Sequence, residues 1–354
     1  MDIKIIIYTF LLFSFSFVAI KYFINVAPKI GLVDVPNDRS SHKRAIPRGA
    51  GIVIGSMFFI GMFFFETKLS LELIYPMIAF MLVFLCGIVD DFKELGSKVK
   101  FLFIIIATII LYFNGYSIDY VGTYFSYEFN LGYLALPFTV FAFVGFTNGL
   151  NLIDGLDGLA GGVSSIVLTA LLIVGIQNND QILIVIPSFL LAIIFAFLLF
   201  NWSPARVFMG DSGSLFLGFM ISFLSFKALD YVTPTSILFL AAIPILDTMV
   251  VIRRRLQRKE SPFMADKNHI HHILYNMKRH KPFTVNTIIV MQLAFALIFL
   301  QVINSNDIIN IILFLILYHI FFNLFDPRRR KRHEKKKKKK KKKFIILTML
   351  NLRR

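Results

Sequence analysis

The chain has 354 residues, of which 57% are apolar, 41 are Phe and only 17% are charged. This composition excludes a soluble domain of that size and indicates an integral membrane protein. The net charge is +17, but residues 328–354 supply 16 of the positive charges. Because the rest of the chain has a net charge of only about +2, a nucleic-acid partner is not expected.

Eleven apolar stretches approach the length of about 20 residues that a helix needs to cross a bilayer. We therefore expect an all-α polytopic membrane protein with about 11 transmembrane helices. Residues 1–327 would form a single domain, and 328–354 a disordered, polybasic cytoplasmic tail that attracts membrane lipids. The stretches are 5–26, 50–65, 73–89, 100–113, 131–147, 159–176, 182–200, 213–229, 235–252, 284–303 and 308–325.

Lys and Arg residues are strongly concentrated on one predicted side of the membrane. The segments that would be inside hold 34 of the 38 basic residues, and they are 27–48, 90–100, 201–212, 253–282 and 328–354. By the positive-inside rule, the amino terminus lies outside and the carboxyl terminus lies in the cytoplasm. All clusters of reactive side chains fall in these segments or in 148–158, which would also be inside but holds no Lys or Arg. We therefore expect a multi-pass protein of a bacterial inner membrane with its active site on the cytoplasmic face.

The centres of the apolar stretches hold no acidic or basic residue, and His319 is the one ionisable side chain well inside a stretch. Ion-coupled transporters normally place carboxylates or a broken helix near the membrane midplane. A transporter for a sugar or a lipid is therefore the less favoured class. The single cysteine, Cys86, excludes an internal disulfide and a multi-cysteine metal site, and we expect it to pack in the core.

The pair Asp90-Asp91 directly follows an apolar stretch. Adjacent carboxylates repel one another unless a cation or proton offsets their charge, so the pair indicates a metal or a positively charged substrate site. Lys93, Lys98 and Lys100 follow within ten residues. The alternative is that the pair caps the next helix while the lysines anchor it at the membrane surface.

The segment 148–158 ends another apolar stretch and contains two amides, two carboxylates and three glycines. Asn148, Asn151, Asp154 and Asp157 recur at every third position. Oxygen ligands without His or Cys favour a hard cation, most plausibly Mg²⁺ bridged to a phosphate. The alternative is helix capping at a membrane boundary.

Two later motifs predict anion binding. In the turn Gly210-Asp-Ser-Gly-Ser214, backbone amides and hydroxyls could meet an anion while Asp211 holds a metal, or the turn could be an ordinary helix cap. In the sequence His269-Ile-His-His272, the adjacent histidines point in different directions, which disfavours zinc. The neighbouring Arg254 favours a nucleotide-diphosphate or sugar pocket, and the alternative is a basic loop with incidental histidines.

In order along the chain, five motifs resemble the polyprenyl-phosphate N-acetylhexosamine-1-phosphate transferase family, which is glycosyltransferase family 4. The resemblance covers about residues 30–280. It implies Mg²⁺-dependent transfer, with Mn²⁺ as an alternative metal, of a sugar 1-phosphate from a UDP-N-acetylhexosamine to undecaprenyl phosphate with release of UMP. A homodimer is a further option. The motifs are Asp34-x-Pro-Asn-x-Arg-Ser-x-His42 with Pro47-Arg48-Gly49, the Asp90-Asp91 pair, Asn-x-x-Asn-x-x-Asp-Gly-x-Asp-Gly, Gly-Asp-Ser-Gly-Ser and His-x-His-His.

The resemblance also implies a role for each matching residue. Asn151 and Asp211 look like metal ligands, and the catalytic set is Asp90, Asp91, Asp154 and Asp157. The substrate-binding set is His42, Arg48, Lys98, Asn148, Arg254, His269, His271 and His272. The branch that makes the lipid precursor of peptidoglycan has three consecutive histidines, whereas Ile270 interrupts them here. We therefore expect the branch that uses UDP-N-acetylglucosamine for surface polymers, with the peptidoglycan branch as the rival.

Overall fold

The computed structural model describes residues 2–36, 44–65, 73–261 and 269–325. These residues are mostly helical and contain seven helices long and apolar enough to cross a membrane, or eight if one bent pair counts as a span. The chain is therefore a multi-pass membrane protein, as expected, but eleven spans are not confirmed. The polybasic segment 328–354 lies outside the described residues, and which side each end occupies stays a prediction.

The described residues form the following helices in chain order. They are α1 (Ile3–Val26), α2 (Gly51–Phe65), α3 (Ile74–Lys93), α4 (Ser97–Phe113), α5 (Ala135–Ile153), α6 (Leu159–Asn178), α7 (Gln181–Asn201), α8 (Asp211–Ala228), α9 (Ile237–Leu240), α10 (Ala242–Gln257), α11 (Ile270–Lys278), α12 (Lys281–Val302) and α13 (Asp307–Leu324). Short 3₁₀ turns precede α5 and α9 at Gly132–Leu134 and Pro234–Ser236.

The difference from eleven spans has a physical reason at several helices. With 15 residues, α2 is shorter than the roughly 17 to 25 residues that a span requires, and α4, with 17, lies at the lower limit. The predicted stretch 235–252 is broken between α9 and α10, which meet at 88°. Gln292 of α12 provides hydrogen-bond partners for backbone groups at this break. Its Nε2 donates to the Leu240 carbonyl at 2.8 Å, and its Oε1 accepts from Ile243 N at 3.3 Å.

Two antiparallel hairpins depart from the all-α expectation. Strands β1 (Val33–Asp34) and β2 (Ile46–Pro47) pair within the first connection. Strands β3 (Tyr120–Tyr124) and β4 (Tyr127–Asn130) pair between α4 and α5. The β3–β4 segment is rich in Tyr and Phe, which favour strands, and it lacks the long apolar run of its neighbours.

Helix α8 lies at the centre of the bundle and packs against α2, α3, α5, α6 and α7. Two glycines bring its first turn into backbone contact with α2 and α3. A methyl group on Gly51 would lie 1.9 Å from Gly213 N, and one on Gly87 would lie 2.6 Å from Ser212 Cα. A side chain at either position would force the helices apart, so Gly51 sets how closely α2 approaches the start of α8, and Gly87 does the same for α3.

Hydrogen bonds between connections define one end of the bundle, which we call the site end. Ala50 N donates to the Phe208 carbonyl at 3.1 Å, and Gly158 N donates to Asn201 Oδ1 at 2.8 Å. Helix α4 leads away from this end and α5 returns to it, so the β3–β4 hairpin between them lies at the opposite, hairpin end.

Candidate active site

Asp91, the last acidic residue of α3, fixes the start of α8. Its Oδ1 accepts from Asp211 N at 2.9 Å, and its Oδ2 accepts from Ser212 N at 3.1 Å and from the Ser212 hydroxyl. Gly213 N and Ser214 N donate to the Gly210 carbonyl. Protein acceptors occupy these backbone amides, which favours the alternative that the turn is a helix cap, and anion binding by the turn stays a prediction. Asp91 caps α8 rather than the helix that follows it, and these bonds favour a positioning role.

Asp211 and Asp90 share one ammonium group. Lys100 Nζ on α4 lies 2.5 Å from Asp211 Oδ2 and 3.4 Å from Asp90 Oδ1. The two carboxyl groups lie within hydrogen-bonding reach of each other, and Asp90 also accepts from Leu95 N at 2.7 Å. Because two carboxyl groups pair with a single ammonium group, this largely buried site has an excess of negative charge.

The segment 148–158 contributes Asn151 and Asp154 to the same place. Asn151 Nδ2 donates to the Ser214 hydroxyl at 2.8 Å, and this amide also lies within reach of the Asp211 carboxylate. Asp154 follows the end of α5, and no described residue donates a hydrogen bond to its carboxyl group. Burial raises the pKa of Asp154 to about 7, and the negative charges of Asp211 and Asp91 add to this effect.

Asp157 is buried and engaged on both oxygens. Its Oδ1 lies 3.4 Å from Lys281 Nζ at the start of α12, and its Oδ2 accepts from Ala205 N at 3.3 Å. These contacts tie the turn after α5 to α12 and to the connection after α7. They favour a positioning role, and the predicted catalytic role of Asp157 stays a prediction.

The histidine motif is held against the same turn. Asp247 of α10 accepts from Ile270 N at 2.8 Å, and its other oxygen lies 2.8 Å from His269 Nδ1. The His271 ring stacks on His269 with centroids 5.9 Å apart. A methyl group on Gly155 would lie 2.6 Å from His271 Nε2, so only glycine leaves room for the ring.

His271 is a neutral hydrogen-bonding group at neutral pH. Burial lowers its pKa well below the ordinary histidine value, and the neighbouring His272 and His269 rings lower it further. His271 is therefore suited to accept or donate one hydrogen bond rather than to supply positive charge.

Other predicted substrate-binding residues lie at different distances from this cluster. Arg48 is adjacent, because its guanidinium donates to the Asp91 carbonyl at 2.9 Å. Asn148 is half-buried one helical turn before Asn151. Lys98 is exposed at the start of α4. Buried Arg254 donates to the Phe325 carbonyl at the end of α13. His42 lies outside the described residues.

Three residues of the site were not in the predicted set: Lys100, Lys281 and Asp247. The two lysines Lys98 and Lys100 are about 200° apart on a helix, so only one can face the cluster. Lys98 was the predicted substrate-binding residue, and the structure brings Lys100 to the cluster instead. Lys100 is the first residue of the apolar stretch 100–113, whereas Lys98 precedes the stretch, and this difference was the signal that could have selected Lys100.

The residues present fit a hard divalent cation. Asp211, Asp90 and Asn151 offer carboxylate and amide oxygens without thiol or imidazole, which is the donor set that Mg²⁺ and Mn²⁺ prefer. The described residues contain no preformed group of three acidic, His or Cys side chains that would hold a metal by themselves.

The fold and the site together define a polytopic membrane protein with an acidic, lysine-bridged site suited to phosphate chemistry. The family model for glycosyl transferase family 4 matches residues 73–229, which include α3, α4, the 148–158 segment and Asp211. A probable undecaprenyl-phosphate N-acetylglucosaminyl 1-phosphate transferase of Bacillus subtilis (strain 168) is 38% identical over 262 residues, covering 70% of this chain and 71% of the relative.

Two further relatives are named undecaprenyl-phosphate alpha-N-acetylglucosaminyl 1-phosphate transferase. The protein of Yersinia pestis is 32% identical over 76% of this chain and 75% of its own length. The protein of Escherichia coli (strain K12) is 29% identical over 74% of both chains. The chain belongs to glycosyl transferase family 4, as its motifs indicated.

Proposed function

We propose that the chain transfers an N-acetylhexosamine 1-phosphate, with N-acetylglucosamine 1-phosphate as the favoured group, from a UDP-sugar to undecaprenyl phosphate and releases UMP. The observation that carries this proposal is that Asp90 and Asp211 share the Lys100 ammonium while Asn151 lies within reach of the Asp211 carboxylate. The relatives named for the same reaction support it. We place the reaction at the cytoplasmic face of a bacterial inner membrane, which the distribution of Lys and Arg supports.

In this reaction an oxygen of the lipid phosphate attacks the β-phosphorus of the UDP-sugar. The bond from that phosphorus to the oxygen bridging the two phosphates breaks, and UMP leaves with the bridging oxygen. A phosphate monoester has a second pKa of about 6, so the lipid phosphate is largely ionised at neutral pH and needs little help from a base. The main obstacle is repulsion between two anions, which catalysis by positioning and electrostatics overcomes.

The residues of the site divide these tasks. Asp211 and Asn151 would hold Mg²⁺, with Mn²⁺ as the alternative, and the bound metal would supply neutralisation of the pyrophosphate. Lys100 keeps a positive charge where the phosphates would enter. Asp91 holds the first turn of α8, and therefore the backbone of Asp211, against α3. Asp90 and Asp154 bring further carboxyl groups to the place where the lipid phosphate would react.

The histidine motif would bind the nucleotide-sugar. Asp247 fixes the start of α11 and orients His269, and His271 reaches the turn at Gly155. Because both rings are buried and stacked, they are suited to hydrogen-bond a sugar or phosphate oxygen in a defined orientation. Ile270, which interrupts the histidines, is buried, and its side chain offers no hydrogen-bonding group to the substrate.

Release of UMP from purified full-length protein tests the proposal. The protein, undecaprenyl phosphate and Mg²⁺ are mixed with UDP-N-acetylglucosamine, with other UDP-N-acetylhexosamines, or with the UDP-muramoyl-pentapeptide donor. We expect UMP with a UDP-N-acetylhexosamine, no UMP without the lipid, and loss of activity on chelation. Activity only with the pentapeptide donor would move the chain to the peptidoglycan branch. Absence of UMP with every donor would contradict a transferase and leave a transporter.

A further inference from the structure

At the hairpin end, the β3–β4 hairpin exposes an unusual number of aromatic side chains. Tyr127 is 80% exposed, Phe125 is 82% exposed, and Tyr133 just beyond β4 is fully exposed. All four residues of β4 are exposed, whereas β3 is half-buried. An exposed cluster of large aromatic side chains usually contacts a membrane or another protein.

Three of the aromatic residues share one face of the hairpin. Tyr124 pairs directly across from Tyr127, and the Tyr124 and Phe129 rings contact edge to face with centroids 6.4 Å apart. Successive residues of a strand point to opposite faces, so Glu128 points to the face opposite Tyr127 and Phe129. The hairpin therefore has one aromatic face and one more polar face.

The length of the following helix places this face at the level of a membrane surface. The candidate span Gly132–Ile153 has 22 residues, which corresponds to about 33 Å and matches the hydrocarbon thickness of about 30 Å. Its far end carries Asn151 of the site. Its near end, at Tyr133 and Leu134, closely follows β4, and both residues are exposed.

The hairpin is fixed to the spanning helices rather than loosely attached. Thr123 N of β3 donates to Asp307 Oδ2 at 2.8 Å, and Asp307 is the first residue of α13. Thr235, just before α9, donates its hydroxyl and its backbone amide to the other oxygen of Asp307. The aromatic face is therefore held at a constant height relative to α13.

The charge of the segment shows which kind of surface it meets. No Lys or Arg occurs between Lys100 and Arg206, so attraction to anionic lipid is not available there. Tyr and Trp rings, with an apolar body and a polar edge, are enriched at membrane–water interfaces. We propose that the β3–β4 hairpin anchors the protein in the lipid headgroup region at the hairpin end, with the face of Tyr124, Tyr127 and Phe129 turned to lipid.

Tryptophan fluorescence in the full-length protein tests this anchor. The chain has one Trp, so Trp202→Phe gives a silent background into which Tyr127→Trp or Phe129→Trp is introduced. Glu128→Trp, on the opposite face of the same strand, is the matched control. Each variant is reconstituted into phosphatidylcholine vesicles with plain or brominated acyl chains. If Trp202→Phe fails to fold, the same substitutions are made in protein that keeps Trp202. The emission of the original protein is then subtracted from that of each variant.

We expect brominated lipid to reduce the emission of Tyr127→Trp and Phe129→Trp about twofold and to leave Glu128→Trp much less affected. Replacing part of the phosphatidylcholine with phosphatidylglycerol, or raising the salt concentration, should change neither result. Equal emission in plain and brominated lipid at Tyr127→Trp and Phe129→Trp would overturn the proposal. A second result would also overturn it. If the emission of Tyr127→Trp and Phe129→Trp in lipid-free detergent changed as the protein concentration rose, the face would contact a second copy of the chain.

Discussion

Two aspartates begin helices at opposite ends of the bundle, and their surroundings differ. Asp307 begins α13 at the hairpin end, and neutral donors from Thr123 and Thr235 occupy both of its oxygens. Asp211 begins α8 at the site end, where it shares the Lys100 ammonium with Asp90 and faces Asp154.

This difference separates a structural carboxylate from a reactive one. At Asp307, hydrogen bonds to backbone and hydroxyl groups satisfy the carboxylate, and the helix dipole of α13 stabilises its charge. At Asp211, two carboxyl groups share one ammonium and the negative charge of Asp154 lies nearby, so the site still favours an added cation. The same residue type at the same helical position thus builds the fold at one end and the site at the other.

The largest expected effect is on turnover at the site end. Asp211→Asn keeps the size of the side chain but removes the charge that would hold a divalent cation. We expect UMP release to fall by about 10² to 10³-fold, and Asn151→Ala to act in the same direction. The matched control, Asp307→Asn, should leave the turnover of folded protein within about twofold. Similar losses at Asp211 and Asp307 would remove the distinction between the two ends.

A second prediction compares the two lysines of α4. Lys100→Met removes the ammonium that Asp211 and Asp90 share, and we expect UMP release to fall by about 10²-fold. Lys98→Met changes an exposed side chain two residues away and should stay within about twofold of the original protein. The two variants are compared at the same Mg²⁺ concentration. A larger loss with Lys98→Met than with Lys100→Met would mean that α4 presents its other face to the substrate.

The hairpin end should respond in stability rather than in turnover. Asp307→Ala leaves the donors of Thr123 and Thr235 without their acceptor, and we expect a loss of about 1 to 3 kcal/mol in the free energy of unfolding. Chemical denaturation in detergent measures this loss. The specific activity of the protein that remains folded should be retained. An unchanged unfolding midpoint would show that Asp307 does not fasten the hairpin to α13.

The smallest predicted effect is a pH dependence from Asp154. Its pKa is raised to about 7 by burial, so the folded protein holds this proton more tightly than the unfolded chain does. The resulting stabilisation is fully present below about pH 4 and is lost as pH rises to about 7. In metal-free protein, thermal unfolding midpoints across this window should fall less steeply for Asp154→Asn than for the original chain. Equal slopes would show that Asp154 is not held neutral.

Much of this organisation is predictable from the sequence, because hydropathy reports helices directly. Each of the eleven apolar stretches coincides with described helical residues. The break between α9 and α10 was not predicted, because it depends on Gln292 reaching from a distant helix. The β3–β4 hairpin was missed because its residues fell in a connection that hydropathy leaves undefined.

The site was predictable as a set of motifs but not as an arrangement of contacts. The motifs drew attention to Asp211, Asn151 and the histidines, which the structure brings to the site end. They could not reveal that Asp91 caps α8, because that contact joins residues 120 positions apart. The choice between Lys98 and Lys100 depends on the rotation of α4 about its axis, which the packing against neighbouring helices determines.

The path of the β-phosphorus of the donor tests the proposed reaction most directly. Purified full-length protein in Mg²⁺ is given undecaprenyl phosphate and UDP-N-acetylglucosamine labelled at the β-phosphorus, and the lipid and aqueous products are separated. Transfer of the sugar 1-phosphate predicts label in the lipid fraction and unlabelled UMP in equimolar amount, both lost in Asp211→Asn. Label that stays in the aqueous phase, or lipid product in Asp211→Asn equal to that of the original protein, would contradict it.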